Sequence, residues 1–189
     1  MAETGYQEVA EALRAAARAT KEKFLVGIAT ASERTRVVAA LAAEGEVVEL
    51  PSSRAARERL AEEAFEVVVL SEDEDGDGDF WGEARELCPS ADLVPLVEGS
   101  PARVAALLRV GVAAVLPRPL PTSDALVRAH LRYLASCRRA RTRAAVLGRV
   151  IADHRAVLRA AEPGLEAALV ALLETSRQAP AVVVVGDSE

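Results

Sequence analysis

From Lys23 onward, short runs of β-branched and other apolar residues alternate with alanine-rich stretches whose apolar positions recur every three or four residues. Five of the runs read as strands: Phe24 to Ala29, Glu46 to Leu50, Glu66 to Ser71, Asp92 to Val97 and Ala113 to Leu116. Between them, Ser32 to Ala43, Ser53 to Glu63, Phe80 to Leu87 and Pro101 to Val110 read as helices. Regular alternation of strand and helix predicts successive βαβ units and a parallel sheet. Right-handed crossovers leave few orders for five strands, and 2-1-3-4-5 is the common one at this size. The expected fold class is α/β, a flavodoxin-like five-stranded parallel sheet with a long C-terminal helical extension.

That extension starts near Thr122, after the Pro-Arg-Pro-Leu-Pro stretch at Pro117 to Pro121, and meets no breaker before Glu162-Pro163-Gly164. A helix of close to 40 residues would span about 60 Å. One seam along it keeps four-three spacing through Leu126, His130, Tyr133, Cys137, Ala140, Ala144, Leu147, Ile151, His154 and Leu158, a heptad register. Val127, Leu131 and Leu134 on the adjacent face are expected to pack inward. Beyond Cys137 the helix has no domain of its own to cover it, so pairing with a second copy is expected through Ala140, Ala144, Leu147, Ile151, His154 and Leu158. Gly164 to Ser176 reads as another helix and Ala181 to Val185 as a strand, which cannot satisfy itself alone; it either joins the sheet or opens a further domain. The expected organisation is an N-terminal helix at 1–22, a sheet domain at 23–136, a linker or coiled-coil helix at 137–160 and the helix and strand at 161–189.

Composition narrows the class. The 189 residues are 51% hydrophobic with a net charge of −6, which excludes disorder, but 39 are alanine and only 3% aromatic, so much of the apolar content is small and helix-favouring. No apolar run approaches the roughly 20 residues of a membrane helix. The opening MAETGYQEVAEALRAAARATKEK puts acids first and reads as an amphipathic helix instead of a signal peptide, so a soluble, cytoplasmic chain with no membrane partner is expected. Cys88 and Cys137 show neither CxxC nor histidine spacing, which argues against a disulfide framework or a zinc site. With 21 arginines, two lysines and no asparagine, the composition is like that of a high-GC bacterial genome. Charge is unevenly placed: residues 124–160 hold nine arginines and two acids, a charge of +7 that leaves −13 on the remainder.

Gly111-Val112-Ala113-Ala114-Val115-Leu116-Pro117-Arg118-Pro119-Leu120 resembles the end of a bacterial response-regulator receiver domain, where a glycine turn, a fifth strand and a basic-residue-proline pair precede the last helix. Phe65 to Ser71 likewise resembles the third strand that delivers the phosphorylated aspartate, and the likeness spans about Lys23 to Leu134. Receiver chemistry uses an acid cluster for Mg²⁺, an aspartate to accept phosphate, a hydroxyl to sense it and a lysine to neutralise it, because hard oxygen ligands and opposite charge stabilise the transferring phosphoryl group. On this resemblance the metal-binding acid pair falls on Ala29 and Thr30, the phosphoacceptor on Ser71, the switch hydroxyl on Val97 and the switch aromatic on Val115. Only the lysine position keeps its charge, as Arg118, and arginine is not its equivalent. The Arg118-Pro119 bond is expected to be cis if the family's turn is retained. A one-residue slip would put Glu72 or Asp73 at the acceptor position, but no slip restores acids at the end of the first strand. The resemblance implies a degenerate receiver site at Ala29, Thr30, Ser71, Val97 and Arg118, with no catalytic residue and no phosphoacceptor.

A second resemblance lies in the tail. Leu158 to Glu189, ending Ala-Pro-Ala-Val-Val-Val-Val-Gly-Asp-Ser-Glu, is similar to the opening of the AAA+ domain in sigma-54-dependent transcription activators, where a receiver, a dimerising linker and this start occur in the same order. Gly186-Asp187-Ser188 would begin the phosphate loop, but Glu189 departs from its second glycine. The lysine and third glycine that a phosphate cradle needs are not in the sequence, so no nucleotide and no other cofactor is expected.

Three other features carry candidate chemistry. Glu72 to Asp79 holds six acids in eight residues, with Asp73, Asp75, Asp77 and Gly78 at positions 1, 3, 5 and 6 of an EF-hand-type loop; the bidentate glutamate would fall on Ala84, and the flanks are strand and short helix. A solvated acidic loop is the favoured reading, one whose charge could also dock a basic partner, with a calcium-responsive adaptor as the alternative. His154 could accept phosphate in a phosphorelay fragment, yet no kinase domain is visible. The arginine-rich stalk would attract phosphates, but without interleaved aromatics or a helix-turn-helix pattern direct nucleic-acid binding is not expected. The sequence thus predicts a non-catalytic regulatory module of a bacterial signalling or transcription-regulatory protein. It would dimerise and control an output domain through protein contacts.

Overall fold

The computed structural model describes residues 22–72 and 80–161, together with positions 11, 167–168, 170–171 and 174. Ten elements follow one another: β1 (Glu22–Gly27), α1 (Ala31–Leu41), β2 (Gly45–Leu50), α2 (Ser53–Leu60), β3 (Val67–Ser71), α3 (Phe80–Leu87), β4 (Asp92–Val97), α4 (Pro101–Arg109), β5 (Leu116–Pro117) and α5 (Asp124–Ala161). The strands form one parallel sheet in the order β2-β1-β3-β4-β5, as the alternation predicts.

Side-chain alternation along the strands explains why helices cover both faces. Phe24 and Val26 of β1, Val67 and Val69 of β3, and Val94 and Leu96 of β4 join one core with Val37 and Leu41 of α1 and Val127, Leu131 and Leu134 of α5. Leu25, Val68, Leu70, Leu93 and Val97 point the other way, into a core with Ala56 and Leu60 of α2, Trp81 and Ala84 of α3 and Leu107 of α4. Trp81 is the single tryptophan, 4% exposed, and stacks edge-on against Phe80 with 4.7 Å between ring centroids. The Arg57 guanidinium lies 4.9 Å over the Phe80 ring and pairs with Glu83 at 3.0 Å.

Local chemistry sets the element ends. Ser52 caps α2 and Ser100 caps α4, each hydroxyl accepting from the amide three residues on, with Pro101 pre-set for the first turn of α4. Gly111, at φ 88°, makes the turn ahead of β5. The Arg118-Pro119 peptide is cis.

Strand bounds shift from expectation by one residue at the starts of β2 and β3, and by more at β1 and β5. β1 runs Glu22–Gly27 instead of Phe24 to Ala29, because its pairing starts at Glu22 opposite Gly45 and stops at Gly27 opposite Leu50 and Leu70. Ile28 is fully buried but unpaired. A Cβ on Gly27 would lie 2.5 Å from Ala56 Cβ and 2.9 Å from Ser52 O, so glycine is what lets α2 approach the strand end. β5 is Leu116–Pro117, opposite Leu96 and Val97, with a bridge residue at Val115 and the Ala113 amide donating to Leu93 O at 2.8 Å, where the expectation was a strand from Ala113 to Leu116. An edge position tolerates the missing amide of Pro117.

The chain divides into two compact units: Lys21–Ala135 with Ala181–Glu189, and Met1–Thr20 with Ser136–Pro180. In the second, Cys137 and Ala144 are buried within the single chain, at 7% and 5% exposure. Leu147, Ile151, His154 and Leu158 lie outside the described side chains, and the expected helix at 1–22, the loop positions Asp73, Asp75 and Asp77 and the strand at 181–185 lie outside the described residues. Of the expected helix at 164–176, positions 167, 168, 170, 171 and 174 are helical.

Candidate functional site

In a parallel sheet the strand ends and the loops leaving them gather functional side chains at one edge. Here that edge brings together Ala29 and Thr30 after β1, Ser71 at the end of β3, Val97 at the end of β4 and Arg118 after β5. All five residues expected from the resemblance thus meet, and what they form is a set of internal bonds.

Ser71 is fully buried. The Ala29 amide donates to its Oγ at 3.3 Å. Beside it, Ser53 Oγ lies within hydrogen-bond reach of two carbonyls, Gly27 O at 3.1 Å and Ser71 O, and 3.4 Å from Ser71 Oγ. Ser53 is also fully buried, so this hydroxyl ties the ends of β1 and β3 to the start of α2. Next in sequence, Glu72 donates its amide to Leu96 O at 3.1 Å and pairs its carboxylate with Arg103 of α4. Ser71, not Glu72, closes the strand.

Arg118 is held from three directions. Its amide donates to Val97 O at 2.8 Å, its Nη2 donates to Thr30 Oγ1 at 2.6 Å, and its Nε lies 3.2 Å from Glu33 Oε2. Thr30, Glu33 and Arg118, with Arg36, Glu98 and Leu120, line a cleft of about 360 Å³. Arg36 is turned to the start of α5, its Nε on Asp124 and its Nη2 donating to Pro121 O. Val97 and Val115 are both buried, and neither offers a hydroxyl or an aromatic ring.

This edge is a poor match for the divalent cation that receivers hold. Where two carboxylates would be needed, the chain presents an alanine and a threonine whose hydroxyl already accepts from a guanidinium, and the Ser71 oxygen is closed off. Among the described residues, no group of three or more His, Cys, Asp and Glu side chains is arranged to hold a metal.

Ser53 and Glu33 are members of this edge that the sequence reading passed over. Ser52-Ser53 ahead of α2 reads as a helix cap, and only the structure separates the capping serine from the buried one. Glu33 had a legible signal, because Thr30 and Glu33 stand at the spacing of a capping box. Of the expected pairing residues, Ala140 is half-buried and Ala144 buried, while the other four lie outside the described side chains. His130 of the same seam is 5% exposed with no partner for either ring nitrogen among the described residues, and its burial pushes the imidazole pKa down.

The five-stranded parallel sheet in the order β2-β1-β3-β4-β5, with helices on both faces, is the receiver-like (flavodoxin-like) fold. No protein-family model and no curated protein matches the chain. Among solved structures, the BeF3-activated DrrB receiver domain superposes with a TM-score of 0.53 at 18% identity, covering 62% of this chain and 99% of that one. The chemotaxis response regulator CheY4 of Vibrio cholerae gives 0.52 at 20% identity, over 61% of this chain and 99% of that one. The beryllofluoride-activated NtrC4 receiver domain dimer gives 0.53 at 22% identity, over 61% and 98%. At these identities the likeness is one of fold. Among the described residues, no helix is long and apolar enough to cross a membrane.

Proposed function

We propose that the chain is a pseudo-receiver: a non-catalytic regulatory module that controls an output domain through protein contacts and without phosphorylation. The observation that carries this reading is Ser71. At the position where receivers present their aspartate, this chain has a hydroxyl with no exposed surface, packed among its own hydrogen bonds. A phosphodonor cannot reach it, and the carboxylates that would hold Mg²⁺ beside it are replaced by Ala29 and Thr30. Signal then has to enter by binding. The tail's similarity to the start of a sigma-54 activator's AAA+ domain supports an output domain of that kind.

Homodimerisation through Ala140, Ala144, Leu147, Ile151, His154 and Leu158 belongs to the same proposal and rests on their heptad spacing. Light scattering behind size exclusion tests both parts, on the wild type and on Leu147→Glu/Ile151→Glu, with and without beryllofluoride and Mg²⁺. The expected result is a dimer that the charges break and the phosphate mimic leaves alone. An assembly state that follows beryllofluoride would overturn the phosphorylation-independent reading, and a wild-type monomer would remove the dimer from it.

A further inference from the structure

Two side chains at the start of α1 are spaced to cap it. In a capping box the Thr at the N-cap accepts from a first-turn amide, and the Glu three residues on reaches back to the N-cap amide. Thr30 stands at the N-cap of α1, yet its side chain makes no cap bond. Its oxygen accepts from Arg118 Nη2 instead, at 2.6 Å. Glu33, with its side chain 12% exposed, has its buried Oε2 3.2 Å from Arg118 Nε and no hydrogen bond to that oxygen.

The guanidinium therefore sits beside the positive end of a helix of 11 residues, an arrangement the helix dipole disfavours. Glu33 is the carboxylate that offsets it. Without that charge, the uncapped first-turn amides of α1, the Arg118 guanidinium and the Thr30 hydroxyl would surround one cleft, with Arg36 on its wall and the exposed Glu98 at its rim. Helix-terminal amides combined with a forked cation are the makings of an oxyanion site.

We propose that Glu33 is a built-in counter-anion, filling from within the chain the place beside Arg118 and the α1 N-terminus that a tetrahedral oxyanion would otherwise take, and so holding the end of β5 against α1 in one arrangement. This rests on the pseudo-receiver reading and gives it a means: the charge that a working receiver gains by phosphorylation is here permanent and internal.

Thermal unfolding of the full chain in sodium phosphate and in sodium chloride, at equal ionic strength, tests it. In chloride, Glu33→Gln should melt about 5 °C below the wild type, a shift typical of one lost partly buried partner in a domain of this size. In phosphate that gap should close, saturably, because the anion takes the vacated place. Sulfate should act as phosphate does. Phosphate's general stabilising effect is common to all variants and cancels in the comparison. In Glu33→Gln/Arg118→Met phosphate should recover nothing. A gap that stays open in phosphate, no gap in chloride, or recovery that survives loss of Arg118 would each overturn the proposal. If Glu33→Gln does not fold in chloride, refolding in phosphate alone supports the proposal, and failure in both salts overturns it. The wild type's indifference to beryllofluoride is decided by the scattering experiment, so the two readings fail separately.

Discussion

Ser53 places one buried hydroxyl between the ends of two strands, and the cost of removing it follows from what it leaves behind. In Ser53→Ala the single hydroxyl proton that the Gly27 and Ser71 carbonyls share is lost from a site with no exposed surface, which costs about 1–3 kcal/mol. Ser52→Ala removes only the α2 cap and should cost about 1 kcal/mol, so urea denaturation of the two variants separates neighbours that look alike in sequence. His130 makes a second residue-scale case. Burial lowers its pKa in the folded chain, so below the unfolded value of about 6.5 the unfolded state takes up a proton that the folded state refuses. Stability is therefore full above that value and falls as pH drops below it, until the folded imidazole also protonates. His130→Leu should flatten the fall in Tm between about pH 7 and pH 5.5, and an unchanged slope would remove His130 as its source. At this scale the site was half legible. Ala29, Thr30, Ser71, Val97 and Arg118 could be placed because the resemblance to receiver domains assigns a role to each of those strand-end positions. Their bonding partners Ser53 and Glu33 come from helices, where nothing in local sequence says which way a side chain turns.

The elements were the most legible level, and their ends the least. Strings such as Val67-Val68-Val69-Leu70 announce a strand buried on both faces, and the absence of any breaker between Thr122 and Pro163 announces a helix that the structure carries from Asp124 to Ala161. What ends β1 is a pairing limit at Gly27, set by the approach of α2 from 25 residues away, and no window around β1 contains it. Within α5, the face toward the sheet was readable from spacing alone. Leu131, 1% exposed in the core shared by β1, β3, β4 and α1, should cost about 2–5 kcal/mol as Leu131→Ala, measured by denaturant unfolding. The start of α5 is fixed to α1 by Arg36, through Asp124 and Pro121 O, and its third turn by Arg132 to Glu44 at 3.3 Å. A truncation at Leu131 would leave these pairs in place, so a smaller loss would mean that polar pinning, and not the apolar face, dominates the docking of α5.

For the molecule as a whole, composition limited the answer without choosing it. Alternation predicted the sheet order, but the division into two compact units falls inside α5, between Ala135 and Ser136, where the helical periodicity runs on unbroken. The same holds for charge, since the +7 of residues 124–160 is visible by counting while its partners are not. One feature of the sheet unit makes the chain easy to interrogate. Its lone indole, Trp81, is buried at the head of α3, immediately after the acidic stretch that ends at Asp79 and Phe80, and is braced by the Phe80 ring under the Arg57 cation. The protein therefore contains its own fluorophore, with no competing tryptophan, two residues beyond the acids that would draw a basic partner. Emission from native, unlabelled chain becomes a direct titration signal for such a partner.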